Sequence, residues 1–170
     1  MAVLVAFAGL PGTGKSTIAR ALSVAAGAVY LRVDEIDAAI WALDPGRDIG
    51  PESYHVAAAL AASNLELGHA AIIDCVNPWP LTRAIFSAAA ERAGVPMLGV
   101  ETICADRAEH RRRVETRATG VPGLAMPDWA AVEARDYEPW EAADLRIDTG
   151  ITGVAEAVAA IRSRLGTGPA

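Results

Sequence analysis

The chain has 170 residues, 52% of them hydrophobic and only 5% aromatic, and a formal charge of −6 at pH 7. That length suits one domain, whose core can be built from Ala, Val, Leu and Ile without disulfides or metals. The acidic balance argues against a protein that lives on a nucleic-acid backbone, and no segment reaches the roughly 18 apolar residues of a membrane span.

The first element is AVLVAFA, residues 2–8, a short apolar run with no basic flank. It is a strand and not a secretory signal, because it leads straight into a glycine-rich loop. After the loop, KSTIARALSVAA (15–26) carries helical periodicity. A second apolar run, AVYLRV (28–33), leads into DEIDAAIWAL (34–43) and then ESYHVAAALAASNLELG (52–68), both helical in pattern. AAIIDC (70–75) is the third strand and TRAIFSAAAERAG (82–94) the next helix; MLGVETIC (97–104) is the fourth strand and ADRAEHRRRVETRA (105–118) the helix after it. TGVPGLAMPDW (119–129) holds two Pro and two Gly and reads as a mobile flap. DLRID (144–148) is a fifth strand, and a last helix at about 153–165 precedes a GTGPA tail expected to fray. Strand alternating with helix five times predicts an α/β fold, a parallel sheet with helices on both faces. Cys75 and Cys104 end apolar runs without metal-ligand spacing, and read as buried thiols of a reducing, cytoplasmic compartment.

Chemistry concentrates first in GLPGTGKST, 9–17, which fits G-x-x-x-x-G-K-[ST] with the required strand before it and helix after it. Gly9, Gly12 and Gly14 let backbone N–H groups converge on an anion, and the helix adds its positive end. Lys15 is placed for the β- and γ-phosphates, the Ser16 hydroxyl for Mg²⁺, and Thr17 for the α-phosphate. Gly9, Pro11, Gly12, Thr13, Gly14, Lys15, Ser16 and Thr17 are therefore the expected nucleotide-binding residues, with Mg²⁺-ATP as the ligand. Asp34 falls at the carboxyl end of the second strand, where open α/β sheets bind ligands. It suits a general base that takes the proton of an attacking hydroxyl, or a cap on the helix it begins. Asp74 closes an apolar strand and suits a carboxylate that holds Mg²⁺ through water. Asn77, Trp79 and Arg83 would emerge over the same sheet edge, Asn77 and Trp79 toward an acceptor and Arg83 toward a phosphate or toward solvent. Arg111 and Arg112 read as solvent-facing, whereas Arg113 and Arg117, spaced i and i+4, share one helical face.

GLPGTGKST, the short strand ending in Asp34, AAIIDCVNPWPLTR, and the Arg113–Arg117 pair together resemble the small P-loop kinases over about residues 1–150. That group includes chloramphenicol phosphotransferase, the kinase domain of polynucleotide kinases, and AAA_33-type small kinases. The resemblance implies an adenylate-kinase-like, three-layer P-loop NTPase fold, with a five-stranded parallel sheet in the order 2-3-1-4-5 and a short lid. It also implies Asp34 as the base, Arg113 against the nucleotide base and Arg117 on the phosphates. Asp37 departs from it: polynucleotide kinases resemble D-x-x-R here, and a carboxylate in place of that arginine repels a nucleic-acid end.

The expectation is one kinase domain over 1–170, with a flexible lid at about 118–128 and a frayed tail at 166–170. Its activity would be Mg²⁺-ATP-dependent transfer of the γ-phosphate to an alcohol, catalysed by Lys15, Asp34 and Arg117. The acceptor would be a small hydroxyl compound meeting Asp37, Asn77, Trp79 and Arg83, with Tyr137 and Trp140 clamping it. Two alternatives remain: a regulatory ATPase whose hydrolysis drives a switch, and a kinase of nucleotide or polynucleotide 5′-hydroxyls. No membrane or nucleic-acid partner is expected, and oligomeric state is not legible.

Overall fold

The computed structural model describes residues 2–118 and 120–166. Five strands form one all-parallel sheet: β1 (Leu4–Ala8), β2 (Val29–Arg32), β3 (Ala71–Asp74), β4 (Met97–Ile103) and β5 (Leu145–Asp148), in the order β2-β3-β1-β4-β5. β1 is the middle strand. Its Leu4, Val5 and Ala6 pair with Ala71, Ile72 and Ile73 of β3, and its Leu4 to Ala8 pair with Met97 to Glu101 of β4.

β1 is buried at every position because it has a core on each side. Leu4 and Ala6 face one helical layer, and Val5 and Phe7, one residue out of phase, face the other. The first layer is α3 (Glu52–Glu66) and α4 (Pro80–Arg92). There α3 buries Ala57, Ala58, Ala61 and Ala62, small side chains that let its backbone approach the sheet and Phe86 of α4. The second layer is α1 (Lys15–Ala26) and α7 (Val154–Gly166), packed through Ile18, Leu22, Ala157 and Ile161. A run buried on both faces shows no polar alternation, which is why the strands read as continuous apolar segments.

α2 (Val33–Leu43) starts without a gap after β2, its N-cap being Arg32 with no side-chain cap bond. Asp34 therefore lies inside the first turn and is not the cap. α5 (Arg107–Thr116) is shorter than its pattern, since the Asp106 side chain accepts from the Ala108 and Glu109 N–H groups and fixes its start. α6 (Trp129–Glu133) was not expected; Asp128 caps it by accepting from Ala131 N–H at 2.8 Å. Among the described residues no helix is long and apolar enough to cross a membrane. The tail beyond Gly166 and Thr119 of the expected lid lie outside the described residues.

Candidate active site

All five strands point their carboxyl ends at one rim, and the loop from Gly9 to Gly14 crosses that rim from the middle strand. Glycine is required there. Gly9 has φ +139°, and a Cβ on it would meet the Thr102 carbonyl oxygen at 2.3 Å. Gly12 has φ +87°, and its Cβ would meet Val114 Cγ2 at 2.6 Å, so α5 lies directly against the loop. Gly14 caps α1 with no side-chain bond, leaving the first-turn N–H groups for a ligand.

Pro11, Gly12, Gly14, Lys15, Ser16 and Thr17 line a cavity of about 670 Å³. Two expected contacts stand behind it. Gly9 packs on Thr102, and the buried Thr13 hydroxyl donates to the Leu10 carbonyl at 2.8 Å and lies 2.8 Å from the Thr102 hydroxyl. These residues brace the loop and do not line the cavity. The Lys15 ammonium donates to the Leu10 carbonyl at 2.8 Å. Burial, working against the attraction of Asp74 and Asp34, lowers its pKa to about 8.

Facing the loop is a cluster assembled by the pairing of β2 with β3, which sets Arg32 beside Asp74. The Arg32 guanidinium donates to Asp34 Oδ2 at 2.9 Å and comes within 3.7 Å of Asp74 Oδ2. Burial opposes its charge, but Asp34 and Asp74 more than offset that, and its pKa is raised. Asp74 is buried and accepts from the Tyr30 hydroxyl at 2.5 Å. Asp34 keeps Oδ1 without a partner among the described residues.

A second cavity of about 360 Å³ adjoins the first and has no glycine-loop residue in its wall. Ser53, Tyr54, Pro78, Trp79, Thr82 and Asp136 line it alone, whereas Asp34, Asp37, Cys75, Val76 and Arg135 line both cavities. Asp34 and Asp37 share a face of α2 at i and i+3. Burial pushes the Asp37 carboxyl up, Ser53 pulls it down by hydrogen bonding, and the charge of Asp34 pushes it up again.

Residues 4–126 match the AAA_33 family model, an AAA domain. The chain belongs to the AAA_33 family. No curated protein matches it. Solved structures similar to this AAA_33 chain include the Mycobacterium tuberculosis APS kinase in complex with AMPPNP and APS (20% identity, 98% of each chain covered, TM-score 0.74). A sugar kinase from Janibacter sp. HTCC2649 (16%, 99% of this chain and 96% of that one, 0.68) and a gluconokinase from Sinorhizobium meliloti 1021 (17%, 97% and 95%, 0.61) are also similar. At these identities the likeness shows the fold, and it is the three-layer P-loop NTPase fold with its 2-3-1-4-5 sheet.

Several sequence expectations are corrected by the geometry of this AAA_33 site. Arg113 and Arg117 do not share a face, because α5 ends at Thr116 and Arg117 is its extended C-cap. Arg113 turns to the Thr149 hydroxyl (2.8 Å) and carbonyl (3.0 Å) and to Glu109 (2.7 Å), outside the cavity wall. Arg117 does line the cavity, with Nη2 on the Pro127 carbonyl at 3.5 Å and a buried Nε lacking a partner among the described residues. Arg83 is unavailable to a phosphate: it is buried, and its guanidinium donates to the Asn77, Pro78 and Glu138 carbonyls and sits over Tyr137 and Trp140. Tyr137 and Trp140, expected to clamp a substrate, line neither cavity. The Tyr137 hydroxyl and Trp140 N–H both donate to the fully buried Glu101, and the indole covers Gly99. Asn77, at φ +49°, is fully buried, its side-chain amide without a partner among the described residues, and lines neither cavity, while Trp79 lines the second.

Other contributors were not foreseen. Arg32, Trp41 and Arg135 also line the first cavity. His110 lies behind the loop, with Nε2 at 2.8 Å from the Pro11 carbonyl and its ring edge-on to Trp129. Leu124, Ala125, Met126 and Pro127, from the segment expected as a lid, line the cavity as well.

Proposed function

We propose that this protein is a Mg²⁺-ATP-dependent kinase that transfers the γ-phosphate to a hydroxyl of a small acceptor. One observation carries the reading: Asp34 lies in the wall shared by a phosphate-loop cavity and a second, smaller cavity. A nucleotide along the loop would bring its γ-phosphate to that wall, and an acceptor in the second cavity would reach it from the other side. A volume of about 360 Å³ sits at the small end of small-molecule sites, which run from about 300 to 1,000 Å³. The carboxylates Asp34, Asp37 and Asp136 around it disfavour a polyanionic nucleic-acid end. The fold shared with APS, sugar and gluconate kinases supports the same class.

In this reading the acceptor oxygen attacks the γ-phosphorus, its proton passes to Asp34 Oδ1, and the bond from phosphorus to the β–γ bridging oxygen breaks to release ADP. Arg32, bound to Oδ2, holds the carboxylate in place. Lys15 exchanges the Leu10 carbonyl for the β- and γ-phosphate oxygens, and Arg117 meets the phosphates from beyond α5. Ser16 and Asp74 line the same cavity and fit Mg²⁺, which takes few protein ligands and keeps several waters. That ion would neutralise charge on the phosphates. Residues 1–170 act as one kinase domain, and the segment at about 118–128 excludes water from the reaction.

The test is ADP release from Mg²⁺-ATP by purified protein against a panel of hydroxyl compounds: antibiotics, sugars, nucleosides and a 5′-hydroxyl oligonucleotide. A small compound that raises release well above background, and only with Asp34 intact, supports the reading. A flat panel with steady acceptor-free hydrolysis would replace it with the regulatory ATPase.

A further inference from the structure

Five residues are common to the two cavities: Asp34, Asp37, Cys75, Val76 and Arg135. If a phosphoryl group passes from one cavity to the other, it passes these side chains. Two are carboxylates, two are uncharged, and Arg135 is the one cation among them.

Arg135 also differs from its neighbours in what it touches. Arg32 is bound to Asp34, Arg113 to Thr149 and Glu109, and Arg83 to backbone carbonyls. The Arg135 side chain is exposed and makes no hydrogen bond or ion pair with any described residue. Its backbone is fixed nonetheless. It follows the C-cap of α6, with its N–H donating to the Val132 carbonyl at 3.3 Å, and Val132 is 1% exposed. Two residues on, the Tyr137 hydroxyl is anchored to Glu101 at 2.6 Å. Its charge is felt at Tyr54, in the wall of the second cavity, where burial pushes the hydroxyl well up and Arg135 offsets a small part of that rise. A guanidinium on a braced backbone, free of partners and opening on both cavities, is arranged for an oxyanion that the protein does not itself supply.

The geometry points to Arg135 as a further catalytic residue, one that binds the γ-phosphoryl oxygens while the group moves from the nucleotide cavity to the acceptor cavity. This rests on the kinase reading above. In a transfer whose charge spreads over three equatorial oxygens, a cation reachable from both sides stays with the group throughout. It also supplies the second phosphate-facing arginine that Arg113, turned to Thr149, does not.

The test uses nucleotides alone, so it does not wait for the acceptor. Binding of Mg²⁺-ADP and of Mg²⁺-AMPPNP is measured by calorimetry for wild type, Arg135→Ala and Arg135→Lys. The expected result for Ala is a loss of about tenfold for AMPPNP, typical of one charge-assisted contact, with ADP affinity and melting temperature unchanged. Lys should recover part of the loss. Once an acceptor is found, kcat should fall by about 100- to 1,000-fold in the Ala variant, with KM for ATP nearly constant. Unchanged AMPPNP affinity in the Ala variant would overturn the assignment. So would an equal loss for both nucleotides, which would make Arg135 an ordinary nucleotide contact. Wild-type protein that binds neither nucleotide would instead remove the kinase reading itself, and this assignment with it.

Discussion

Replacing Lys15 with Met is expected to stabilise the free protein while abolishing its response to nucleotide. The Lys15 side chain is almost wholly buried, and its pKa is lowered from 10.5 to about 8, with burial outweighing the pull of Asp74 and Asp34. Each factor of ten between folded and unfolded proton affinities is about 1.4 kcal/mol, so carrying the charge at pH 7 costs the fold about 3 kcal/mol. The attraction of the two carboxylates is already inside that difference. Met keeps the volume and removes the charge, but forfeits the bond to the Leu10 carbonyl, worth about 1 kcal/mol. The net gain is about 2 kcal/mol, or about 4–8 °C in melting temperature for a chain of this size. The sign follows from the folded pKa lying below the unfolded one. The penalty is complete below pH 8 and fades as pH rises toward 10.5, so the gap between the two proteins should close over that window. Calorimetric melting at pH 7 and pH 10, with and without Mg²⁺-ATP, reads all of this. A Met variant that melts at or below wild type at pH 7, or a gap that persists at pH 10, would refute the reasoning.

The other predictions concern the loop and the wall between the cavities. Asp34→Asn should lower acceptor-dependent ADP release by at least about 100-fold with little change in ATP affinity; a parallel loss of ATP binding would move Asp34 to the nucleotide side. Arg113→Ala removes two hydrogen bonds to Thr149, whose hydroxyl in turn donates to the Thr13 carbonyl at 3.0 Å. It should destabilise by about 1–3 kcal/mol, and an unchanged urea midpoint would show that the bonds are not kept in solution. Gly12→Ala forces a Cβ against Val114 and into a left-handed backbone. It should weaken ATP binding and lower the melting temperature together, and normal affinity by calorimetry would count against the close packing of α5. Tyr30→Phe takes a hydrogen bond from the buried Asp74 carboxylate, a loss of about 1.5–3 kcal/mol that urea unfolding would register.

What the sequence revealed was what is local. β1, β3 and β4 were legible because apolar runs this short, bounded by turn residues, suit strands covered on both faces. The glycine loop was legible because its spacing is itself the geometry. The order 2-3-1-4-5 came from the resemblance, since alternation alone says that strands are parallel and not which are neighbours. Arg32 looked like a strand residue, and only the pairing of β2 with β3 brings it to Asp74. The burial of Arg83 and Glu101 was hidden for the same reason, because Glu138, which accepts from Arg83, and Tyr137, which donates to Glu101, lie far along the chain from them. Arg113 and Arg117 were misjudged over a single turn, since no Gly or Pro stands at 117 to mark where α5 stops. The sequence does carry a signal for α6: Asp128 before WAAVE is a capping residue ahead of a short helical pattern.

Both outer strands of the sheet, β2 and β5, are only four residues long. Exposed strand edges are where chains pair with one another, and a longer edge offers more unpaired N–H and C=O groups as a template. Here one edge carries Arg32 and turns at once into α2, and the other carries Arg146, held by Glu101 at 2.7 Å. Neither offers a second molecule more than a few ladder bonds. Variants that loosen the loop or the cavity wall should therefore stay in solution long enough to be assayed, so that lost turnover can be told apart from lost protein.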